Sequence, residues 1–272
     1  HLAKTRQQIH QHPEVSEEEH ETTVFLKGYL KNLGIEPLNY SLKTGLIAEI
    51  GSGHPIIALR ADIDALPIKE KTGLPYASDN GAMHACGHDG HAAWLIGAAK
   101  ILASIREEWG GCIKFVFQPG EEIGRGAMEL VKEDHVLENP KVDMAFAAHG
   151  WPTVESGKIG IARRYAFGCV GAFAVEIIGK KGHASWPEQT IDPIAVANEV
   201  YQHIPAILAR KISGTDSGIM SVTYMQAGVE KIKNVIPQIC KFGGTMRTTK
   251  RETMEKMAVE LKNELRAICE VY

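Results

Sequence analysis

The run Ile113-Lys114-Phe115-Val116-Phe117-Gln118-Pro119-Gly120-Glu121-Glu122 decides how this chain is read. A short apolar stretch closed by a Pro-Gly turn reads as a buried strand, and two carboxylates fall just beyond its C-terminal end. In open α/β sheets that is the edge where ligands bind. A helix is predicted next, over 126–133, and another strand over 142–148. Upstream, apolar runs at 46–50 and 56–61, separated by Gly51-Ser52-Gly53, read as paired strands, and 90–109 carries helical periodicity. Strand alternating with helix predicts an α/β layer with a largely parallel sheet. The first 33 residues read as a helix that Pro13 breaks. Ser16 restarts it, with Glu17, Glu18 and Glu19 at the positive end of the helix dipole.

From Cys169 the pattern changes. Strand 169–180, helix 192–209, strands 219–227 and 239–248 and helix 251–268 are predicted, and 269–272 reads as the start of one more strand. That βαββα(β) order predicts a ferredoxin-like α+β unit. Two domains are therefore expected, 1–165 and 166–272, with the boundary at Arg163-Arg164-Tyr165.

Composition narrows the function. The 272 residues suffice for a large core or two ordinary ones. A net charge of -3 offers no basic field for nucleic acid and no polybasic strip for a membrane surface. No apolar run approaches the roughly 20 residues of a spanning helix. Five cysteines, an odd number with no CxxC pair, argue against a disulfide framework and for a cytoplasmic location.

The second informative stretch is Met83-His84-Ala85-Cys86-Gly87-His88-Asp89-Gly90-His91, just ahead of a helical pattern. Thiol and imidazole are the side chains that hold borderline-soft divalent ions, and a neighbouring carboxylate can orient an imidazole. Strand 56–61 runs into Asp62 and Asp64, strand 113–117 into Glu121 and Glu122, and strand 142–148 into His149. Four segments thus deliver Cys86, His88, a glutamate and His149 to one sheet edge, which suits a hydrolytic metal site. Of two adjacent carboxylates, one can bind metal while the other takes a proton from water.

Each residue has a plainer reading. Cys86 alone is as readily a small buried hydrophobe, and His88 or His149 alone is more often a hydrogen-bonded core histidine. Glu-Glu commonly starts a helix, and Asp62 and Asp64 suit a turn before Pro67. All the plain readings together require four coincidences at one edge. In the second domain, His183 in Gly182-His183-Ala184-Ser185 is placed to donate to a developing oxyanion, and Arg247 to grip a carboxylate. His91, on the first helical turn, is a weaker candidate that serves to position its neighbours. His10, His12 and His20 lie on or beside the polar face of the first helix and receive no role.

These residues resemble the metal-dependent amidohydrolases that include hippurate hydrolases, auxin-conjugate hydrolases and N-acyl-amino-acid deacylases, within the aminoacylase and carboxypeptidase group of co-catalytic metallopeptidases. The resemblance rests on His10-Gln11-His12-Pro13-Glu14, Arg60-Ala61-Asp62-Ile63-Asp64-Ala65-Leu66-Pro67, His84-Ala85-Cys86-Gly87-His88-Asp89 and Phe117-Gln118-Pro119-Gly120-Glu121-Glu122. Gly182-His183-Ala184, Asn234-Val235-Ile236-Pro237 and Gly244-Thr245-Met246-Arg247-Thr248 complete it. It implies two divalent ions (Mn or Zn, with Co or Ni as alternatives) held by Cys86, His88, Glu122, His149 and one further histidine nearer the family's C-terminus. It also implies Glu121 as general base, His183 as the oxyanion contact, and Asn234 and Arg247 at the substrate's carboxylate end, with Asp64, Asp89 and His91 in support. The substrate implied is a small N-acyl amino acid. The second domain is implied to be a lid through which the protein forms a homodimer.

Family members continue past the lid, so the chain reads as part of a longer protein and its catalytic domain as incomplete. The alternatives are a dipeptidase or aminopeptidase on the same scaffold, or a catalytically silent dimerising chain.

Overall fold

The computed structural model describes residues 2–163 and 166–272. The chain forms two compact units, His1–Ser156 and Gly157–Tyr272. The boundary expected at 165/166 rests on Arg164 and Tyr165, which lie outside the described residues.

In the first unit, α1 (Leu2–Gln11) and α2 (His20–Asn32) precede β1 (Leu46–Ser52) and β2 (Ile56–Asp62). Then come α3 (His88–Ser104), β3 (Gly111–Gln118), α4 (Gly126–Lys132) and β4 (Met144–Ala147). The sheet order is β1-β3-β2-β4. β2 runs parallel to both β3 and β4, and only β1 is antiparallel to its neighbour.

The pairing of 46–50 with 56–61 is therefore wrong, because β3 lies between them. All eight residues of β3 are buried, and a strand buried on both faces needs a ladder on each side. Residues 46–62 supply both ladders, from opposite flanks. Even Lys114 is buried there: its Nζ donates to the Val136 and Asn139 carbonyls (2.8 and 3.0 Å) and lies 3.2 Å from Glu49 Oε1. β4 is the outer strand, and its four side chains, Met-Ala-Phe-Ala, are all exposed.

One face of the sheet carries the main core, where Leu26, Leu30, Ala92, Ile96 and Ala99 meet Phe115 and Phe117. On the other face Ile47 and Val116 pack with Leu130 and Val136. Pro13 does break the first helix, but Ser16 does not cap the second. The Glu14 carboxylate accepts from the amides of Glu21 and Thr22 (3.0 and 2.8 Å), which satisfies two orphan donors of the first turn. Ser16 instead donates its hydroxyl to Asp64 Oδ2 at 2.7 Å.

In the second unit, β5 (Cys169–Ile178) is followed by the short β6 (Gly182–His183), α5 (Pro193–Lys211) and β7 (Gly218–Ala227). β8 (Val235–Ile236), β9 (Ile239–Thr248) and α6 (Arg251–Cys269) complete it. Antiparallel β5-β9-β7 form one sheet, and β6 and β8 form a separate ribbon. Asp192 caps α5, accepting from Ile194 N at 2.9 Å, with Pro193 in the first turn. Val196, Val200, Ile204, Met257 and Leu261 pack against Phe242 and Met246, giving the ferredoxin-like layer of two helices on one sheet face. The strand expected over 269–272 is absent: α6 runs through Cys269, because Met257, Leu261 and Ile268 continue the buried helical stripe to its end.

Candidate metal centre

Parallel strands bring the chemistry together. β2, β3 and β4 all run the same way, so residues 62–64, 118–122 and 149 leave the sheet at one edge. The fourth segment is the turn into α3. Gly87 adopts φ +86°, a left-handed conformation that L side chains resist, and carries the chain from Cys86 into the helix that begins at His88.

His88 is fully buried. Its Nδ1 lies 2.9 Å from the Asp64 carbonyl and 3.1 Å from Asp64 Oδ1, which assigns the ring proton to Nδ1 and leaves Nε2 as the bare face. That Nε2 is 3.7 Å from Asp62 Oδ2, 3.8 Å from Glu121 Oε2 and 3.9 Å from Glu122 Oε1. Cys86 Sγ is 3.5 Å from His149 Nε2.

Three of these atoms, Asp62 Oδ2, His88 Nε2 and Glu122 Oε1, are buried without a hydrogen-bond partner. Arg60 Nη1 comes within 2.8 Å of Asp62 Oδ2, a charge contact without hydrogen-bond alignment. Unsatisfied buried polar atoms are costly, and here they converge. Ligands held roughly 2.0 to 2.3 Å from one ion lie no more than about 4.5 Å apart, so the observed separations suit a shared cation. Three overlapping donor sets meet this condition: Cys86 with His88 and His149, His88 with Glu121 and Glu122, and Asp62 with His88 and His91.

The electrostatics agree. Burial opposes ionisation of Asp62, but the His91 hydrogen bond and the His88 and Arg60 charges outweigh it and hold Asp62 at about 2. Burial likewise opposes Asp64, yet hydrogen bonds from His88, Ser16 and the Glu122 amide lower it. Burial raises Glu122 above the usual carboxylate range; His88 pulls it down, while Glu121 and Asp64 push it further up. Burial, then Glu122 and Glu121, push the Cys86 thiol up to about 11. A divalent cation would offset this crowded negative charge and favour the thiolate of Cys86.

The three supporting residues act differently. Asp64 ties His88 to the next loop, since its Oδ2 also accepts from Glu122 N at 2.9 Å. His91 uses both ring nitrogens, Nδ1 to Asp62 Oδ1 at 2.5 Å and Nε2 accepting from Gly150 N at 2.8 Å. Asp89 turns away, its Oδ2 2.8 Å from both Arg6 Nε and His10 Nδ1 on α1.

His10 was expected on a polar face without a role, and here the structure differs. It is buried, bridging Asp89 and Glu70 Oε1 (3.1 Å), because α1 packs against α3 rather than facing water. No signal short of that packing distinguishes His10 from His12. Glu19, hidden in an acidic run, is likewise fully buried.

Within the second unit, His183 lies in the ribbon opposite Val235, and Asn234 immediately precedes Val235, its carbonyl accepting from Ala184 N at 3.0 Å. Ser185 N donates to His183 Nδ1 at 3.1 Å, so the exposed ring carries its proton on Nε2. Arg247 projects from the exposed side of the central strand β9.

Surplus buried donors beside the carboxylate of Glu121, still 41% exposed, define a metal-dependent hydrolase. The pattern of peptidase family M20/M25/M40 matches residues 58–263, and the chain belongs to that family. It is 40% identical over 275 residues to an N-acetylcysteine deacetylase of Bacillus subtilis, covering 100% of this chain and 71% of that one. It is 39% identical over 246 residues to an N-acyl-L-amino acid amidohydrolase of Geobacillus stearothermophilus, covering 89% of this chain and 65% of that one. Among solved structures, the Bacillus subtilis YXEP protein, a dinuclear metal binding peptidase from the M20 family, superposes with a TM-score of 0.84 at 38% identity. That match covers 100% of this chain and 70% of that one. The chain thus spans about two thirds of the length of such relatives.

Proposed function

We propose that this chain carries the catalytic centre of a hydrolase that cleaves the amide bond of N-acyl amino acids or related conjugates. The observation that carries this reading is the open carboxylate of Glu121 beside the buried, unpartnered Nε2 of His88 and Oε1 of Glu122. The names of the deacetylase and amidohydrolase relatives support the substrate class.

Cys86, His88, Glu122 and His149 would hold two divalent ions, with the imidazole of His88 oriented by Asp64. When bound, the ions supply Lewis-acid polarisation of the acyl carbonyl and acidify the attacking water. The thiolate favours zinc, while the mixed carboxylate and imidazole set also accommodates manganese. Glu121 Oε2 takes a proton from water as its oxygen adds to the acyl carbon, then gives that proton to the departing nitrogen. Water and amide become carboxylic acid and amine, and Glu121 is regenerated.

His183 presents Nε2–H to the developing oxyanion, with Nδ1 fixed by the Ser185 amide. Asn234 and Arg247 receive the carboxylate of the amino-acid half, Arg247 through a charge-assisted pair. In this reading the second unit is a lid and the surface through which two copies pair. Five cysteines, an odd number with no CxxC pair, are the ground for placing the protein in a reducing cytoplasm.

The test is a panel of N-acetyl and N-benzoyl amino acids, with and without chelator, on the wild-type chain and Glu121→Gln. Hydrolysis that disappears with chelator and in the variant supports the proposal; full activity in Glu121→Gln overturns it.

A further inference from the structure

Helix α2 begins with an unusual arrangement. Glu14 satisfies its first amides, which leaves the residue at its N-cap position, Glu19, free to point elsewhere. The Glu19 side chain is fully buried and crosses to the loop after β3. Oε1 accepts from Gly120 N at 2.9 Å and Oε2 from the Thr44 hydroxyl at 2.6 Å. Its own carbonyl accepts from the Thr23 hydroxyl, and that oxygen in turn accepts from Gly45 N at 2.8 Å.

The segments it joins have no slack. A Cβ on Gly45 would come within 2.6 Å of the Phe117 carbonyl and 2.7 Å of Pro119 Cδ, and one on Gly126 within 1.7 Å of the Pro119 carbonyl. Two residues beyond Gly120, Glu122 N donates to Asp64 Oδ2. The amides on either side of Glu121 therefore each end on a buried carboxyl group, Glu19 before it and Asp64 after it. Both hydrogen-bond donors to the Glu19 side chain are neutral, an amide and a hydroxyl. Burying a carboxyl on such partners costs more than burying a neutral side chain, which makes simple packing a poor reason for a glutamate there.

We propose that Glu19 is a positioning residue for the reaction: by holding the Gly120 amide it fixes the backbone from which Glu121 projects and so aims that carboxylate. This rests on Glu121 being the general base. Displacements of about 1 Å at a reacting group cost up to about 100-fold in rate. Glu19→Ala releases Gly120, whereas Glu19→Gln keeps a carbonyl oxygen for the Gly120 amide while the Thr44 hydroxyl rotates to accept.

The test measures three quantities on Glu19→Ala, Glu19→Gln and wild type: kcat and KM on an N-acyl amino acid, zinc binding by calorimetry, and hydrogen exchange at Gly120 and Glu122 without metal. Glu19→Ala is expected to lose roughly 10- to 100-fold in kcat, with KM and zinc affinity each within about threefold. Its Gly120 amide should exchange faster while the Glu122 amide, held by Asp64, stays protected. Glu19→Gln should return kcat to within about threefold of wild type and restore Gly120 protection. Glu19→Asp, one methylene too short to reach Gly120, supplies the same reading if Glu19→Ala does not fold.

Unchanged kcat or unchanged Gly120 exchange in Glu19→Ala overturns the proposal. So does a loss of kcat that only tracks lost zinc binding, or a Glu19→Gln variant as impaired as Glu19→Ala. A wild-type chain that binds zinc but hydrolyses nothing in the panel defeats the proposed function instead, and the exchange arm still reads the Glu19 contact.

Discussion

Asp64 grips His88 twice, through its backbone carbonyl and through Oδ1, at 2.9 and 3.1 Å from the same ring nitrogen. A contact of this kind fixes both the tautomer and the orientation of a ligating imidazole. Asp64→Ala removes the Oδ1 contact and leaves the carbonyl one, and is expected to weaken zinc or manganese binding by roughly 10- to 100-fold. Isothermal titration gives the answer, and an affinity within twofold of wild type would contradict the arrangement.

His91 makes a different prediction because both of its nitrogens are engaged, by Asp62 and by the Gly150 amide. It holds the residue that follows His149, and with both nitrogens so engaged it is expected to leave an ion to the other members of its donor set, Asp62 and His88. His91→Phe should weaken metal binding several-fold and leave the number of bound ions unchanged. Loss of one whole ion, read by atomic emission, would make His91 a ligand.

Glu70 lies away from the centre, beneath α1. Burial opposes its ionisation, but hydrogen bonds from Thr72, Ser78 and His10 prevail and bring it to about 2. A folded value below the unfolded 4.5 means that the ionised group stabilises the fold. That stability is fully present above about 4.5 and drains away as pH falls towards 2. Glu70→Gln should therefore cost about 1 to 3 kcal/mol near pH 7, and its gap from wild type in urea midpoints should close between pH 4.5 and 2. A gap that widens on acidification would refute the assignment.

Lys114 is the most demanding buried residue of the sheet, an ammonium without exposure inside β3. Lys114→Met would strand two carbonyls and the Glu49 carboxylate. A loss of about 3 to 5 kcal/mol in unfolding free energy is expected, as for breaking a buried ion pair. A variant as stable as wild type would show that water reaches those groups.

Much of this was legible in the residues, and the exceptions share one cause. Period and turn signals located most of the helices and strands, and the drop from apolar run to polar residue marked the edge where Cys86, His88, Glu121, Glu122 and His149 gather. Strand partners were not legible. The Gly51-Ser52-Gly53 turn invites a hairpin, and only the full burial of β3 explains why β1 and β2 part to receive it. Glu19 and His10 escaped for the same reason. A charged residue in a polar run carries no local mark that tertiary packing will bury it. Ser16, a good cap by composition, was diverted because Glu14 reached the helix amides first and Asp64 offered its hydroxyl a better acceptor.

The outer strand β4 has a consequence for handling the protein. Its four side chains are small or greasy, all lie in solvent, and none carries charge. Backbone groups along one side face outward, so any extended peptide can zip onto them whatever its side chains are. Among the described residues no strand pairs with that outer edge of β4, so a further strand can add there. Concentrated stocks are where this should show first, as slow clouding that a lysine in place of Ala145 would delay.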